Sequence, residues 1–305
     1  MILDRPLLGI GFMLAFCVLI PLSDSIAKIL GDTVPLGVLL LARFGLQAVF
    51  LAPAVHFFGA GLAMTPRVLR LTALRTLIHL GATAAMFTAL RYLPLAETVA
   101  IAFVMPFIML ILGHYILGEE VGPRRLAACA VGFVGTLMVV QPSFAVVGAP
   151  ALLPLGVAVG FAFFMLITRQ IAKETDPVAL QAISGLMATP LIAAAFILPP
   201  LADLPLFDLA LPSGRDALLL LAIGVVGTTA HLAMTWSLRF APSATLAPMQ
   251  YLEIPVATFL GWAIFGDLPN GLAALGIAIT VGAGLYIVLR ERALSTRPVA
   301  RLTTD

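Results

Sequence analysis

The chain has 305 residues, of which 61% are apolar and only 10% charged, and its mean hydropathy is +1.11. A soluble domain of this length cannot bury that much apolar surface, so the expected solvent is lipid. A formal charge of +2 is too small to suggest a nucleic-acid partner.

The start, "MILDRPLLGIGFMLAFCVLIPLSDS", has Arg5 ahead of an apolar run, as a signal peptide would. It lacks a small-x-small cleavage site and continues to Leu30, so it reads as a retained first helix. A span needs ~20 mostly apolar residues, and ten such stretches follow in order, near 6–30, 35–57, 69–91, 95–117, 124–141, 150–169, 177–200, 216–238, 244–265 and 270–289. The connectors are short and rich in Pro and Gly, which leaves no room for a soluble domain. Cys17 and Cys129 both sit in apolar runs and read as small core residues.

Lys and Arg set the sides. With the N-terminus inside, thirteen of them (Arg5, Arg67, Arg70, Arg75, Arg124, Arg125, Arg169, Lys173, Arg239, Arg290, Arg292, Arg297, Arg301) fall on cytoplasmic segments. Three (Lys28, Arg91, Arg215) fall outside, and Arg43 lies within a span. The expectation is a multi-pass protein with both termini cytoplasmic.

Two stretches are copies of each other. "LRYLPLAETVAIAFVMPFIMLILGHYILG" begins at Leu90 and "LRFAPSATLAPMQYLEIPVATFLGWAIFG" at Leu238. Arg91 and Arg239, Pro94 and Pro242, Gly113 and Gly261, and Gly118 and Gly266 all match at an offset of 148 (239 − 91). "SIAKILGDTVP" ending the first helix is echoed by "QIAKETDP" ending the sixth. Each half then holds five helices, residues 1–143 and 144–292, with a tail at 293–305. An odd number duplicated in tandem puts the second copy upside down in the membrane, the arrangement of transporters that open alternately to either side.

Ionisable groups inside hydrocarbon cost about 2.5–3.5 kcal/mol each on insertion scales, so they must face protein or water. Glu253 lies in "PMQYLEIP", where Pro248 and Pro255 kink the helix around Gln250 and Tyr251. It either meets a substrate cation or carries a proton, or else it locks helix packing. His79 has Thr83 on the same face at i+4, and His231 matches Thr83 at the 148 offset. Each histidine can bind a carboxylate, titrate, or simply pack. Asp24 and Arg43 have matching depth, which suggests an ion pair with Lys28 as a second partner; it reads as an outer gate or as a static bridge. Ser23 and Pro21 put a polar break in the first helix, and Pro106 and Pro255 interrupt the fourth and ninth, so prolines 21, 106 and 255 are candidate hinges. Phe103, Phe164, Trp236 and Tyr251 are candidate substrate walls, and Ser23, His79, Thr83, His231, Gln250 and Glu253 are candidate polar contacts to the substrate. Arg43 is the only mid-membrane cation in this reading, which weighs against polyanionic substrates such as sugar nucleotides.

The punctuation after each copied stretch is Gly118-Glu-Glu-Val-Gly-Pro-Arg-Arg-Leu126, with a G-x-x-G at Gly132–Gly135, and Gly266-Asp-Leu-Pro-Asn-Gly-Leu272. With Arg43-Phe44, it resembles the drug/metabolite transporter superfamily, EamA type, nearest its YddG-like amino-acid exporters. Asp267 stands where that pattern usually has Glu. The resemblance implies an all-α membrane fold of ten helices in two inverted five-helix repeats, with a central cavity lined by helices 1, 3, 4, 6, 8 and 9. It also implies export of small metabolites, above all neutral or aromatic amino acids, across a bacterial inner membrane. No H-E-x-x-H, G-x-S-x-G or phosphate-binding G-K-S/T occurs, so no enzyme, cofactor or metal is expected. The expected partners are a small-molecule substrate and the bilayer, with a monomer sufficient. The other readings are a drug, nucleoside or other metabolite carrier of this fold, and a non-transporting lipid-flipping or assembly subunit.

Overall fold

The computed structural model describes residues 5–57, 64–118, 122–269 and 271–295, and every regular element among them is helical. In chain order these are α1 (Pro6–Leu30), α2 (Leu36–Phe57), α3 (Pro66–Ala89), α4 (Leu95–Ala102), α5 (Met105–Leu117), α6 (Pro123–Val147), α7 (Leu153–Ile171), α8 (Pro177–Ala195), α9 (Gly214–Phe240), α10 (Ser243–Leu246), α11 (Glu253–Leu260) and α12 (Gly271–Ser295). A 3-10 segment, Ala247–Leu252, joins α10 to α11, and a π-helical turn, Gly261–Phe265, follows α11. Residues 119–121 and the tail after 295 lie outside the described residues.

Local chemistry accounts for the ends. Pro6, Pro66 and Pro177 open α1, α3 and α8, where the missing N–H costs nothing. Asp176 caps α8, its Oδ1 accepting from Val178 N at 2.8 Å and Ala179 N at 3.2 Å. Gly118 and Gly266, one repeat apart, follow α5 and the π turn with φ of +65° and +73°, a left-handed stop that a side chain would strain. α8 ends at Ala195, five residues short of the expected 200, as the chain passes into Pro199, Pro200 and short 3-10 turns.

Among the described residues six stretches are long and apolar enough to cross a membrane: Pro6–Leu30, Leu36–Val55, Leu95–Leu117, Ala149–Ile171, Pro177–Ala195 and Gly214–Phe240. Shorter apolar helices occupy Leu126–Met138 and Ala274–Tyr286. The helix at 66–89 is less apolar because it carries Arg67, Arg70 and Arg75. Arg75, counted in the sequence among residues of a cytoplasmic segment, is fully buried in the bundle.

The largest helix contacts are α1 with α9, α3 with α7, α2 with α8, and α6 with α12. Small residues let these backbones approach. A Cβ on Gly185 of α8 would lie 2.8 Å from Ala48 N of α2, and one on Gly135 of α6 would lie 2.6 Å from Gly276 O of α12. Thr280 Oγ1 donates to Gly132 O at 3.3 Å across the α6–α12 seam, and these residues are themselves one 148-residue offset apart.

Both ends of the bundle are tied by basic side chains on main-chain carbonyls. Lys28 Nζ donates to Leu90 O at 3.0 Å and Leu93 O at 2.7 Å, and Arg91 Nη2 donates to Val34 O at 2.9 Å. Arg169 Nη1 donates to Leu238 O at 2.6 Å, and Arg239 Nη1 donates to Thr175 O at 2.7 Å. Arg5 N donates to Phe240 O at 2.8 Å, so the start of α1 lies beside the end of α9 and the two sets of ties close opposite faces. Leu90 and Leu238, like Arg91 and Arg239, are offset partners, so the two copies build the same latch. Removing Arg91 as Arg91→Ala should speed backbone hydrogen exchange at the Asp32–Val34 turn several-fold, because opening there then breaks one fewer bond. Unchanged exchange would show that the tie carries no local stability.

Candidate functional site

A cavity of about 80 Å³ lies at the centre of the bundle. The breaks create it. α4 stops at Ala102 and α5 restarts at Met105 because Pro106 supplies no N–H for the carbonyl one turn earlier. The matching span is 3-10 from Ala247 to Leu252, and this brings Glu253 to the wall at the start of α11. The apolar wall includes Phe16, Phe87, Phe103 and Phe161; the polar wall is Ser23, Asp24, Arg43, Thr83, His231 and Glu253.

A continuous polar network holds one side of this cavity. Arg43 Nη1 donates to Gln47 Oε1 at 2.9 Å, and its Nη2 donates to Gly227 O at 2.8 Å and meets His231 Nδ1 at 2.7 Å. The same Nδ1 lies 2.9 Å from Gly227 O, so it accepts from the guanidinium in one tautomer and donates to the carbonyl in the other. Gln47 Nε2 donates to Gln181 O at 2.7 Å and Oε1 at 3.1 Å. Gln181 Nε2 in turn donates to His231 O at 2.9 Å and Thr235 Oγ1 at 2.6 Å. α2, α8 and α9 are thereby joined by buried groups whose acceptors cannot be exposed cheaply. Opposite them, the Asp24 carboxylate makes no hydrogen bond to another described residue, and Glu253 Oε1 has only the Cys17 thiol at 3.9 Å.

The sequence-predicted residues divide cleanly. Ser23, Thr83, Phe103, His231 and Glu253 line the cavity, as do Asp24 and Arg43. The expected ion pair is corrected. Neither Arg43 nor Lys28 lies within ion-pair distance of Asp24, and among the described residues the ion pair is Arg67–Glu174 at 2.5 Å. Equal depth does not give equal azimuth: Arg43 turns towards α9, and Lys28 reaches the α3–α4 turn.

Four candidate walls do not touch the cavity. Gln250 is fully buried, with Nε2 2.9 Å from Met165 Sδ. Tyr251 packs its ring against Phe103, centroids 5.5 Å apart, and over Gly132 of α6. Trp236 stacks with Phe12 and Phe240 near the end of α9, at 6.2 and 5.5 Å. Phe164 lies behind the cavity, stacked on His79 at 4.3 Å. His79 is also interior: its ring meets His231 at 4.3 Å and Phe44 at 5.1 Å, and neither ring nitrogen has a hydrogen-bond partner. Pro21 lies inside unbroken α1, its carbonyl accepting from Ser25 Oγ at 2.8 Å, so α1 has no break there. Pro255 lies within α11, three residues after the 3-10 segment. Sequence reasoning missed Arg75, Gln47 and Gln181. Two glutamines and an arginine inside apolar spans were visible, but nothing in the spacing showed that they converge.

Residues 7–141 and 149–290 each match the EamA-like transporter family. The chain is 28% identical over 261 residues to a riboflavin transporter of Rhizobium johnstonii, covering 84% of this chain and 82% of that one. It is 24% identical over 285 residues to an S-adenosylmethionine uptake transporter of Rickettsia prowazekii, covering 93% of each. It is also 25% identical over 241 residues to a pseudopaline exporter of Pseudomonas aeruginosa, covering 77% of this chain and 78% of that one. A solved crystal structure superposes with a TM-score of 0.70 at 23% identity, over 94% of this chain and 98% of the other. Together the two matched segments cover most of the protein. The chain belongs to the EamA-like transporter family.

Proposed function

We propose that this integral membrane transporter moves small amphipathic metabolites through the central cavity by alternating access, with both termini cytoplasmic in a bacterial inner membrane. It has ten spans in two inverted five-helix repeats, residues 1–143 and 144–292. The broken spans α4–α5 and α10–α11 are the fourth and ninth. Exchanging the repeats turns the α1–α9 contact into the α7–α3 contact and returns α2–α8 and α6–α12 to themselves, which supports a pseudo-two-fold axis in the membrane plane. The duplicated latches support it independently.

The observation that carries the substrate reading is the lining itself. Carboxyl groups (Asp24, Glu253), a guanidinium (Arg43) and aromatic rings share one cavity. An ammonium fits the first, a carboxylate the second and a flat apolar body the third. Amino acids with neutral or aromatic side chains meet these demands, and export is the direction proposed. A second reading, flat heteroaromatic metabolites, is favoured by the phenylalanine-rich wall and by the riboflavin transporters among the relatives.

The test is counterflow in vesicles holding the purified full-length protein. Labelled phenylalanine, tryptophan, leucine, S-adenosylmethionine and riboflavin are each offered against an unlabelled internal pool. Amino-acid counterflow is the expected result. Riboflavin counterflow alone would move the assignment to the second reading. If folded protein moved none of the five, the substrate reading would fail.

A further inference from the structure

Arg43 and Arg75 are both buried in the apolar interior, at 1% and 0% exposure. Among the described residues neither has a carboxylate within ion-pair distance. A buried cation without a counter-ion is expensive and, inside a membrane, marks a functional position. Arg43 borders the cavity and Arg75 does not. Arg75 Nε donates to Thr168 Oγ1 of α7 at 3.0 Å and Nη1 donates to Ser184 Oγ of α8 at 3.1 Å, while Nη2 has no partner.

The two guanidiniums end one column of flat groups. Arg75 lies over the Phe164 ring, 4.6 Å from its centroid; Phe164 stacks on His79 at 4.3 Å; His79 meets His231 at 4.3 Å; and His231 Nδ1 meets Arg43 at 2.7 Å. His79 Nδ1 and Nε2 and His231 Nε2 are further buried polar atoms in this column without a partner. Four helices from both copies (α2, α3, α7 and α9) contribute to it. The two arginines also occupy corresponding interfaces. Arg43 sits at the α2–α9 contact, eight residues past Pro35, and Arg75 reaches Ser184 at the α3–α8 contact, seven residues past Pro177. Exchange of the two repeats converts one contact into the other, so each interface holds one guanidinium, supplied from the opposite helix.

Resting on the inverted-repeat reading above, we propose that Arg75 is the anion-binding residue of the cytoplasm-facing conformation, the counterpart of Arg43 in the cavity seen here. An anionic group of the substrate, a carboxylate in the simplest case, engages Arg43 on one side. The Phe164–His79–His231 stack is the partition. When the repeats rock, the stack opens from the cytoplasmic side, and the free Nη2 of Arg75 presents its donors to the same anionic group there.

The test needs no identified substrate. In full-length protein with Cys17→Ala and Cys129→Ala, Ser184→Cys or Thr168→Cys places a thiol beside Arg75; two sites guard against one failing to fold. The probes are a sulfonate-bearing and an ammonium-bearing methanethiosulfonate of similar size, applied to oriented vesicles from either face. Labelling is expected from the cytoplasmic face, and Arg75→Gln should lower the sulfonate-to-ammonium rate ratio by about tenfold, as loss of a focusing charge does. Two results overturn the proposal: no cytoplasmic labelling of either thiol in folded protein while Thr83→Cys is labelled from the other face, or a ratio unchanged by Arg75→Gln. Absence of counterflow for all five solutes, with the labelling result intact, would sink the substrate assignment and leave the second anion site standing.

Discussion

Gly185→Val is expected to lower the thermal midpoint of the detergent-solubilised protein by about 5 °C or more, as over-packing that costs a few kcal/mol does. The atoms met are backbone. A Cβ at 185 would lie 2.8 Å from Ala48 N, 3.1 Å from Ala48 Cα and 3.2 Å from Phe44 O, so no rotamer change relieves the clash and α2 must move from α8. That movement would also pull apart the Gln47–Gln181 bonds, which lie on the same two helices. Gly81→Ala on α3 is the control. Nothing lies within 4 Å of its added Cβ, and alanine improves helix propensity by about 1 kcal/mol, so its midpoint should hold or rise. Fluorescence-detected size exclusion after a heating series reads both; equal midpoints would refute the close α2–α8 approach.

Arg43→Met should reduce counterflow, normalised to folded protein, at least tenfold. The substitution keeps the aliphatic stem while leaving Gly227 O and Gln47 Oε1 without their common donor. Each hydrogen bond to a charged group contributes about 1.5–3 kcal/mol, and one such loss from the bound state corresponds to roughly 10- to 100-fold. Arg43→Lys should not restore the rate, because one ammonium cannot span acceptors on both α2 and α9 as the fork does. Full activity in Arg43→Met would show that the cavity works without this cation.

The repeat was legible in the sequence because it is written in residues whose backbone roles are rigid. Gly118 and Gly266 stop helices, prolines break them, and Arg91 and Arg239 tie loops, so a shared offset survives divergence of the apolar filling. The cavity was half legible. Asp24, Arg43, His231 and Glu253 could be placed at depth from hydropathy, and they converge. Azimuth could not be placed. Gln250 and Tyr251 lie in a 3-10 segment, where residues advance by 120° rather than 100°, and they turn towards Met165 and α6 instead of the cavity. Arg75 escaped because it follows Arg67 and Arg70, and a run of arginines at a helix start looks like a cytoplasmic flank. Its burial is decided by Thr168, Ser184 and Phe164, which are far away in sequence.

The ties that shut the two faces of the bundle have a chemical consequence. Lys28, Arg91, Arg169 and Arg239 all grip main-chain oxygens, and an amide oxygen neither gains nor loses a proton in water near neutrality. The acceptors in these four ties therefore have no charge for acid to neutralise, and the titratable groups at the two doors are the carboxylates beside them: Asp32, Glu97 and Asp267 around Lys28, and Glu174, which pairs with Arg67. Sensitivity of the transport cycle to protons then has two places to originate, these carboxylates at the closures and Asp24 and Glu253 in the interior.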